Sequence, residues 1–595
     1  MNRNRAIARR ALGGCAIVVL SSAGWAADAP RIGPAPAFVK RVALPGGGAS
    51  SDSQPAHIVL MDQQFRLEKG QTTSFSEIAI KVQSSQGLAV GNIALPWRPE
   101  QDELTVNTIA IHRGDKVIDV LGGGKGFTVI RRETDLEMAT LDGVLTATMQ
   151  VPDLQVGDTL DMAITTVSHD PTWQDHAEAI GANWNGAPID RAHVRLSWPA
   201  SLAVKARSFG GLAAATPVRE GDTMVLEMAS DKVVPQVLPT GAPARFRRGR
   251  GLEATSFAGW SALSALMAPL YEKASQITPG SALDREVDKI RAASSDPARR
   301  TEAALALVEE QVRYVALEMG AGGLVPAAAE ASWQRRYGDC KGKTVLLLGI
   351  LHKLGIPANA VLVSSGGGDG LDERLPRIGL FDHVIVRATV GGKEVWLDGT
   401  RTGDGAIERL EVPDYKWGLP IAARGAALVA LQPPPLSKPN VETAVAIDAS
   451  AGLFAPAPTH IITVLRGDNA LGFKSGLEAV AADLRDNALK AYWKNDYDFV
   501  EPAAVKAQFD PATGDERVTL DGTSKLEWKD GWFYVAGGSL AYKADFHRDE
   551  GPDREAPFTL GAPSFSKVVT SIKLRRWWRA ARATRSAIST KRWRG

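Results

Sequence analysis

The chain has 595 residues, of which 44% are hydrophobic and 23% charged. These proportions are ordinary for a globular protein and exclude a largely disordered chain, and the length predicts about three or four domains. The 69 basic residues nearly balance the 67 acidic ones, but four basic residues lie in the first ten positions and nine in 573–595. The part between has 56 basic and 67 acidic residues, and this net charge of −11 argues against nucleic acid as its main partner.

The first 26 residues have the pattern of a secretory signal peptide. Four arginines precede the apolar run Ala11–Leu20, and small residues close that run at Gly24–Ala27. The run is shorter than the roughly 20 apolar residues of a membrane span, so we expect cleavage near Ala26 rather than an anchor. A lipoprotein would use Cys15, but the charged residues before it leave no apolar stretch upstream. We therefore expect export to the periplasm of a Gram-negative bacterium.

A flexible lead-in, 27–56, is expected after the signal peptide because it contains a run of glycines and a serine-rich stretch. The region 57–245 then shows short apolar runs separated by turn residues such as Arg113-Gly114-Asp115 and Val156-Gly157-Asp158. Many short strands with such turns predict a β-sandwich. The clearest strand patterns are His57–Met61, Ile78–Val82, Leu104–His112, Leu145–Val151 and Thr159–Val167.

The pattern changes near Leu252, and the region 252–425 places helices before strands, which is typical of an α+β unit. The predicted helices are Trp260–Ala274, Ala282–Ala293, Pro297–Val312 and Cys340–Leu354, and the predicted strands are Ala360–Val363, Asp382–Thr389 and Val395–Asp398. The glycine-rich loop Ser364–Arg377 between them is either a lid over a site or a plain solvent loop.

The region 433–572 returns to strand patterns, interrupted by a predicted helix at Leu477–Lys494, and is expected to be a C-terminal β domain. The last residues, 573–595, are rich in arginine and tryptophan. They are either a basic tail that contacts a membrane surface or cell-wall polymer, or the product of a frameshift, because the strand pattern stops abruptly after Ile572.

Cys340 is the one cysteine that remains once Cys15 has left with the signal peptide, so no intrachain disulfide can form. A lone thiol in an oxidising compartment is either a small buried residue or a reactive group. Asp339 is a good N-cap for a helix that begins at Cys340. The sulfur would then lie at the positive end of the helix dipole, beside Lys341, and both effects favour thiolate over thiol.

A nucleophilic thiolate needs a base, and His383 is the best-placed candidate. His352 lies on the same helix, about 18 Å further along its axis. If Gly391 and Gly392 form a two-residue hairpin turn, the two flanking strands place Asp398 diagonally across from His383 on one face. Cys340 would then attack, His383 would carry the proton and Asp398 would orient the ring. Alternatively, His383 and Asp398 are ordinary strand and turn residues.

The segments Tyr337–Lys341 and Leu346–Gly355 together resemble the nucleophile segment of bacterial transglutaminase-like proteins, a family of the papain-like cysteine superfamily. Phe381–Val386 resembles their histidine strand, and Trp396–Thr400 resembles their aspartate strand. The histidine follows the cysteine by 43 residues and the aspartate follows by another 15, whereas the papain branch places its histidine much further downstream. The region before this core also resembles a domain of unknown function that often precedes such cores.

This resemblance implies a multidomain protein with an N-terminal β-sandwich, a transglutaminase-like core in 252–425 and a C-terminal β domain. It implies thiol acyl chemistry on protein or peptide amides, with Cys340, His383 and Asp398 as catalytic residues. The acyl group could pass to an amine or to water, and the residues leave this open. Where the family usually has an acidic residue this chain has Gly342, which predicts a looser helix start. A non-catalytic periplasmic binding or scaffold protein with a degenerate core is therefore the alternative.

No metal or cofactor is expected. The sequence has no His-Glu-x-x-His motif, no paired Cys-x-x-Cys and no phosphate-binding glycine loop. One remaining cysteine also excludes a thiolate zinc site within one chain.

Overall fold

The computed structural model describes residues 29–46, 54–123, 126–131, 140–141, 143–317, 324–366, 368–452, 454–526, 528–529, 532–533, 546–551, 553–560 and 563–575. The predicted signal peptide lies outside these residues, as do positions 576–595 of the predicted basic tail. Within the described part of the chain, no helix is both long enough and apolar enough to cross a membrane.

In the part of the N-terminal region that the structure describes there are sixteen strands, and nine of them make one large sheet. They are β1 (Arg31–Ile32), β2 (Ala56–Glu68), β3 (Gln71–Val82), β4 (Asn92–Trp97), β5 (Asp102–Arg113), β6 (Lys116–Asp119), β7 (Thr128–Arg131), β8 (Thr140–Leu141), β9 (Leu145–Gln150), β10 (Thr159–Ser168), β11 (Glu178–Gly181), β12 (Ile189–Pro199), β13 (Lys205–Phe209), β14 (Val218–Glu220), β15 (Thr223–Val233) and β16 (Gly251–Thr255). The large sheet runs β1-β5-β10-β3-β2-β12-β15-β14, with β6 beside β5.

Two three-stranded sheets, β4-β9-β7 and β11-β16-β13, pack against the large sheet. Alternation along β5 and β12 makes this possible, because every second side chain is apolar and points to the same face. Ile109 and Ile111 of β5 pack in one cluster with Leu95 of β4, and Leu196 of β12 packs in another with Ala254 of β16. The region is therefore strand-rich and two-layered.

Part of the predicted flexible lead-in instead lies against the large sheet. Arg31–Ile32 pairs in parallel with β5. The Lys40 N–H donates to the side-chain oxygen of Gln64 at 2.9 Å, and the Gln64 amide donates back to the Lys40 carbonyl at 2.7 Å. Val42 and Leu44 pack on buried side chains of the same sheet. The segment is ordered by contacts that are distant in sequence, so its composition did not reveal them.

The central region combines helices with a five-stranded antiparallel sheet. Its elements are α1 (Trp260–Ala274), α2 (Ala282–Ala293), α3 (Pro297–Gln311), β17 (Arg313–Tyr314), β18 (Ala316–Leu317), α4 (Ala329–Arg335), β19 (Tyr337–Gly338), α5 (Cys340–Lys353), β20 (Ala358–Val363), β21 (His383–Val390), β22 (Lys393–Leu397), β23 (Lys416–Pro420) and β24 (Val429–Leu431). Helix α5 is buried on all sides over its first twelve residues, so it is the centre of this core.

Both predicted boundaries of the central region shift. Gly251–Thr255 pairs with β11 and β13 of the N-terminal region, so the helical core begins at Trp260 rather than at Leu252. The core sheet continues beyond residue 425 to Leu431, because β24 pairs with β23. Strand pairing, which sequence alone does not reveal, decides both boundaries.

The C-terminal region is a β domain with two helices, built from β25 (Val441–Ala449), β26 (Ala457–Leu465), α6 (Asp468–Ala479), α7 (Arg485–Asp496), β27 (Val500–Asp510), β28 (Asp515–Ser524), β29 (Trp528–Lys529), β30 (Trp532–Phe533) and β31 (Ser566–Leu574). The single helix predicted at Leu477–Lys494 is thus two, because the chain becomes extended at Val480. Strand β31 runs two residues past the predicted end at Ile572, and Lys573 Nζ pairs with Asp448 Oδ2 at 2.8 Å.

Candidate active site

Helix α5 begins at Cys340, and its N-terminus is capped as the sequence predicts. The Asp339 backbone is extended, and its Oδ1 accepts the Gly342 N–H at 2.8 Å. Its Oδ2 forms an ion pair with Lys341 Nζ at 2.7 Å. The Lys341 cation is therefore engaged by the capping carboxylate, and the helix terminus is the feature that acts on the sulfur.

Gly342 does not unravel this helix start. A Cβ built at Gly342 would lie 2.8 Å from Ser332 Oγ of α4, which is tighter than an ordinary contact. The glycine thus lets α4 approach the first turn of α5 closely. The predicted loosening is not seen, because the Asp339 cap holds the Gly342 N–H.

The hairpin that carries the other two candidate residues has the predicted register. Gly391 and Gly392 both have positive φ, 57° and 78°, and Val390 pairs with Lys393 across them. Such a two-residue turn matches the twist of the strands it joins. His383 opens β21 and Asp398 follows β22, and His383 Nε2 lies 2.8 Å from Asp398 Oδ2.

The structure brings Cys340, His383 and Asp398 together. Burial of the imidazole opposes its protonation, but hydrogen bonds to Asp398 and Cys340 and the negative charges of both raise the pKa of His383 to about 10. Since Nε2 faces Asp398, Nδ1 is the ring atom left for the sulfur. This arrangement favours an imidazolium held between a carboxylate and a sulfur.

Asp398 is held in turn by the residue two positions on. Its Oδ1 accepts the Thr400 N–H at 2.9 Å and the Thr400 hydroxyl at 2.6 Å. Burial works against ionisation of this carboxyl, yet the bonds from His383 and Thr400 lower the pKa of Asp398. The carboxylate therefore stays charged and fixed in orientation toward the ring.

Two tyrosines near the candidate triad, the buried Tyr271 and the half-buried Tyr415, were not found from sequence. The Tyr271 hydroxyl donates to the Leu324 carbonyl at 3.2 Å, and burial together with the nearby charge of Cys340 raises the Tyr271 pKa far above its usual range. The Tyr415 ring centroid lies 5.9 Å from that of His383. Both tyrosines come from elements distant in sequence, so no local pattern pointed to them.

A buried cation lies one turn along α5 from the candidate nucleophile. Lys343 is 1% exposed and its Nζ donates to the Val312 carbonyl. Burial lowers the pKa of Lys343 to about 8, against the opposing charges of Glu309 and Asp398. Its place in an apolar helix pattern gave no signal for a buried charge.

Cys340 is 6% exposed and borders a cavity of 310 Å³. Cys340 lines this cavity and also packs in the hydrophobic cluster of the central core. Residues of the N-terminal and central regions line it together: Arg98, Gln101, Asp170, Trp173, Glu178, Tyr314, Ala316, Leu324, Asp339, Cys340, Lys341, Ile378, Gly379, Phe381 and Asp382.

The glycine-rich loop after β20 is tied to the N-terminal region. Arg245 Nε donates to Asp369 Oδ1 at 2.8 Å, and Arg374 Nε donates to the buried Glu253 Oε2 at 2.8 Å. Just after the loop, Glu178 accepts the Ile378 N–H. The described residues of this loop are thus held by ion pairs and backbone hydrogen bonds, a geometry that neither sequence alternative anticipated.

His352, the other histidine weighed from the sequence as a base, does not join this site. His352 Nε2 donates to the Ala358 carbonyl at 2.9 Å, at the far end of α5. Among the residues the structure describes, no group of three or more histidine, cysteine or acidic side chains is arranged to hold a metal ion.

A family comparison matches part of the N-terminal region. Residues 68–236 match DUF3857, a domain of unknown function with a solved structure. This agrees with the resemblance drawn for that region. The matched residues end well before Cys340, so the comparison does not bear on the candidate triad.

Comparison with solved structures supports the overall fold. A "putative protease" from Parabacteroides distasonis superposes with a TM-score of 0.53 at 12% identity, over 79% of this chain and 93% of that chain. At that identity the likeness concerns the multidomain, strand-rich fold. An M1 zinc metallopeptidase from Deinococcus radiodurans has a TM-score of 0.19 at 12% identity, over 34% of this chain and 42% of its own. A TM-score this low does not indicate a shared fold. No curated protein matches the sequence.

Proposed function

We propose that this chain is a transglutaminase-like cysteine enzyme that acts on protein or peptide amides, with Cys340, His383 and Asp398 as its catalytic residues. The observation that carries the proposal is that His383 pairs with both Asp398 and Cys340. Cys340 lies at the start of the buried helix α5. A structural cysteine does not require an imidazole whose other nitrogen is oriented by a carboxylate. The likeness in fold to a "putative protease" is consistent with chemistry on amides.

The reaction follows from the order of these groups. The Cys340 sulfur attacks the amide carbonyl carbon, and the developing oxyanion can accept a hydrogen bond from the Cys340 N–H at the helix start. His383 gives its proton to the leaving amine, and the C–N bond breaks to leave a thioester. An incoming amine or water then loses a proton to His383, attacks the thioester and releases the Cys340 sulfur. Asp398 keeps the ring oriented through both halves.

Two outcomes of this chemistry are compatible with the site. Attack by an amine gives an isopeptide or other new amide, whereas attack by water gives deamidation of a glutamine or cleavage of a peptide. Both use the same acyl-enzyme. The basic start and short apolar run of residues 1–26 support export to the periplasm as the place where this would happen.

The proposal is tested by mass spectrometry of periplasmic proteins incubated with the wild-type chain or with Cys340→Ala. We expect new isopeptide links, deamidated glutamines or cleaved peptides with the wild type and none with the variant. His383→Ala should lower the rate of product formation by about 10²-fold or more. Equal product patterns with wild type and Cys340→Ala would contradict the proposal and favour a binding or scaffold protein.

A further inference from the structure

The cavity beside Cys340 has walls from two different regions of the chain. Arg98 and Gln101 lie between β4 and β5, and Asp170 and Trp173 lie between β10 and β11. All four belong to the N-terminal region, whereas the candidate triad belongs to the central region. A substrate that occupies this cavity would therefore contact the N-terminal loops.

The N-terminal wall is held firmly against the central region. Trp173 is 9% exposed and packs within the hydrophobic cluster of the central core. Glu178 of β11 accepts the N–H groups of Ile378 and Gly379 at 2.6 and 2.9 Å, and these two residues also line the cavity. Parallel pairing of β8 with β18 adds a backbone contact between the regions. The wall is thus part of one fixed cavity.

The charged side chains of this wall are placed by local hydrogen bonds. Asp170 Oδ1 accepts the Thr172 N–H at 2.8 Å and the Thr172 hydroxyl at 2.6 Å. The backbone N–H of Arg98 donates to Asp102 Oδ2 at 3.3 Å. These bonds hold the Asp170 side chain and the backbone of Arg98, and both residues line the cavity.

Carboxylates outnumber cations around this cavity. In the central wall, Lys341 is neutralised by its ion pair with Asp339, and Asp382 adds a carboxylate that accepts the Ser365 N–H at 2.7 Å. In the N-terminal wall, Asp170 and Arg98 carry opposite charges. The cavity therefore presents an excess of negative charge with one cation at its N-terminal side.

We propose that the N-terminal region selects the substrate of the Cys340 site, and that it selects peptides with a basic side chain. Asp170 attracts that side chain, and Arg98 disfavours it while tolerating an acidic one. This inference rests on the proposed function, because it takes Cys340 as the reacting group. It assigns to the matched domain of unknown function a role in substrate recognition.

The test uses reagents that react with Cys340 in two ways. Iodoacetamide is small and uncharged, so its rate reports the thiol alone. Peptidyl acyloxymethyl ketones, in which the sulfur displaces the carboxylate from the methylene carbon to form a thioether, must also fit the cavity. Two such probes with the same sequence carry either lysine or glutamate at one position, and the ratio of their rates measures charge selection.

We expect the lysine probe to label the wild type faster than the glutamate probe. Asp170→Asn keeps the acceptor oxygen for Thr172 but removes the charge, and should lower the lysine-to-glutamate ratio by about three- to fivefold, the range for partly exposed charge pairs. Arg98→Gln should raise the ratio by a similar factor. Asp115→Asn and Lys116→Gln change the same charges on an exposed turn away from the cavity and should leave it unchanged.

The outcomes separate this inference from the proposed function. If iodoacetamide labels Cys340 rapidly and His383→Ala abolishes this, but the ratio is the same in wild type, Asp170→Asn and Arg98→Gln, then the selection is wrong and the triad stands. A wild type that iodoacetamide labels but no peptide probe labels also overturns the selection. Slow labelling by iodoacetamide that does not depend on His383 overturns both.

Discussion

At the scale of single residues, His383 is the group on which the account depends. His383 could be predicted from the sequence because the two-residue turn Gly391-Gly392 sets the register of the two strands. Side chains alternate along each strand, so this register places His383 and Asp398 on the same face. The same reasoning could not find Tyr271 or Tyr415, since they reach the site from parts of the chain whose packing no local pattern encodes. It also missed the buried charge of Lys343, which lies on α5 itself within an apolar helix pattern. Local rules thus predicted that His383 and Asp398 lie side by side, and tertiary packing supplied their surroundings.

The charge state of His383 gives a pH prediction. Its pKa of about 10 in the folded chain exceeds the ordinary value of about 6.5, so the folded chain keeps a proton that the unfolded chain loses. The stability from this pair is fully present below the ordinary value and is lost as the pH rises toward the folded value. Asp398→Asn weakens the hydrogen bond to the His383 ring, which is the largest contact that favours its protonation. We therefore expect the stability from this pair to be lost at a lower pH in the variant.

The pH dependence of Cys340 alkylation by iodoacetamide checks the charge state of His383 on which this prediction rests. In the wild type, the change in alkylation rate that reports deprotonation of the His383 imidazolium should occur at alkaline pH. In Asp398→Asn it should occur at lower pH, closer to the ordinary pKa of histidine. A profile that Asp398→Asn leaves in place would show that Asp398 does not set the charge of the ring.

At the scale of elements, α5 and the β21–β22 hairpin were predicted well and the domain edges were not. Helix α5 is defined by its cap at Asp339 and its stop at Gly355, which are local signals. The edges at Leu252 and residue 425 depend on which strands pair with β16 and β24, and the strand order of a sheet is a long-range property. The ordered part of the lead-in was missed for the same reason.

The hairpin turn offers a test at this scale. Gly391 has a positive φ of 57°, which asparagine tolerates and a β-branched residue does not. Gly391→Val should destabilise the hairpin by about 1–2 kcal/mol, speed hydrogen exchange across β21 and β22, and slow Cys340 alkylation. Gly391→Asn is the control and should behave as the wild type. Equal behaviour of the two variants would mean that the turn does not position Asp398.

At the scale of the whole molecule, the N-terminal and central regions share one cavity and a hydrogen-bonded interface. Buried glutamates of the N-terminal sheets carry this interface: Glu178 holds the backbone after the glycine-rich loop, and Glu253 holds Arg374. Sequence analysis predicted the separate regions and their order, but it placed all catalytic features in one of them. That both regions line the cavity depends on how they pack against each other, and local sequence patterns do not reveal this packing.

Glu178→Gln tests this interface. The amide would turn an N–H₂ group toward one of the two N–H donors of Ile378 and Gly379, and a buried donor left without an acceptor costs about 1–3 kcal/mol. Hydrogen exchange at these two residues should therefore accelerate. Glu373→Gln, in the same loop but 43% exposed, should change exchange by less, because exposed ion pairs contribute about 1 kcal/mol or less. Equal protection in Glu178→Gln and wild type would contradict this role.

The proposed function depends on the His383 imidazolium pairing with the Cys340 sulfur, so that this sulfur is the nucleophile. Ultraviolet difference absorbance of the thiolate, measured at neutral pH between the wild type and Cys340→Ser, tests this most directly. We expect a thiolate signal in the wild type that disappears in His383→Ala while the circular dichroism spectrum is unchanged. A wild type without that signal at neutral pH, or a signal that survives in His383→Ala, would contradict it.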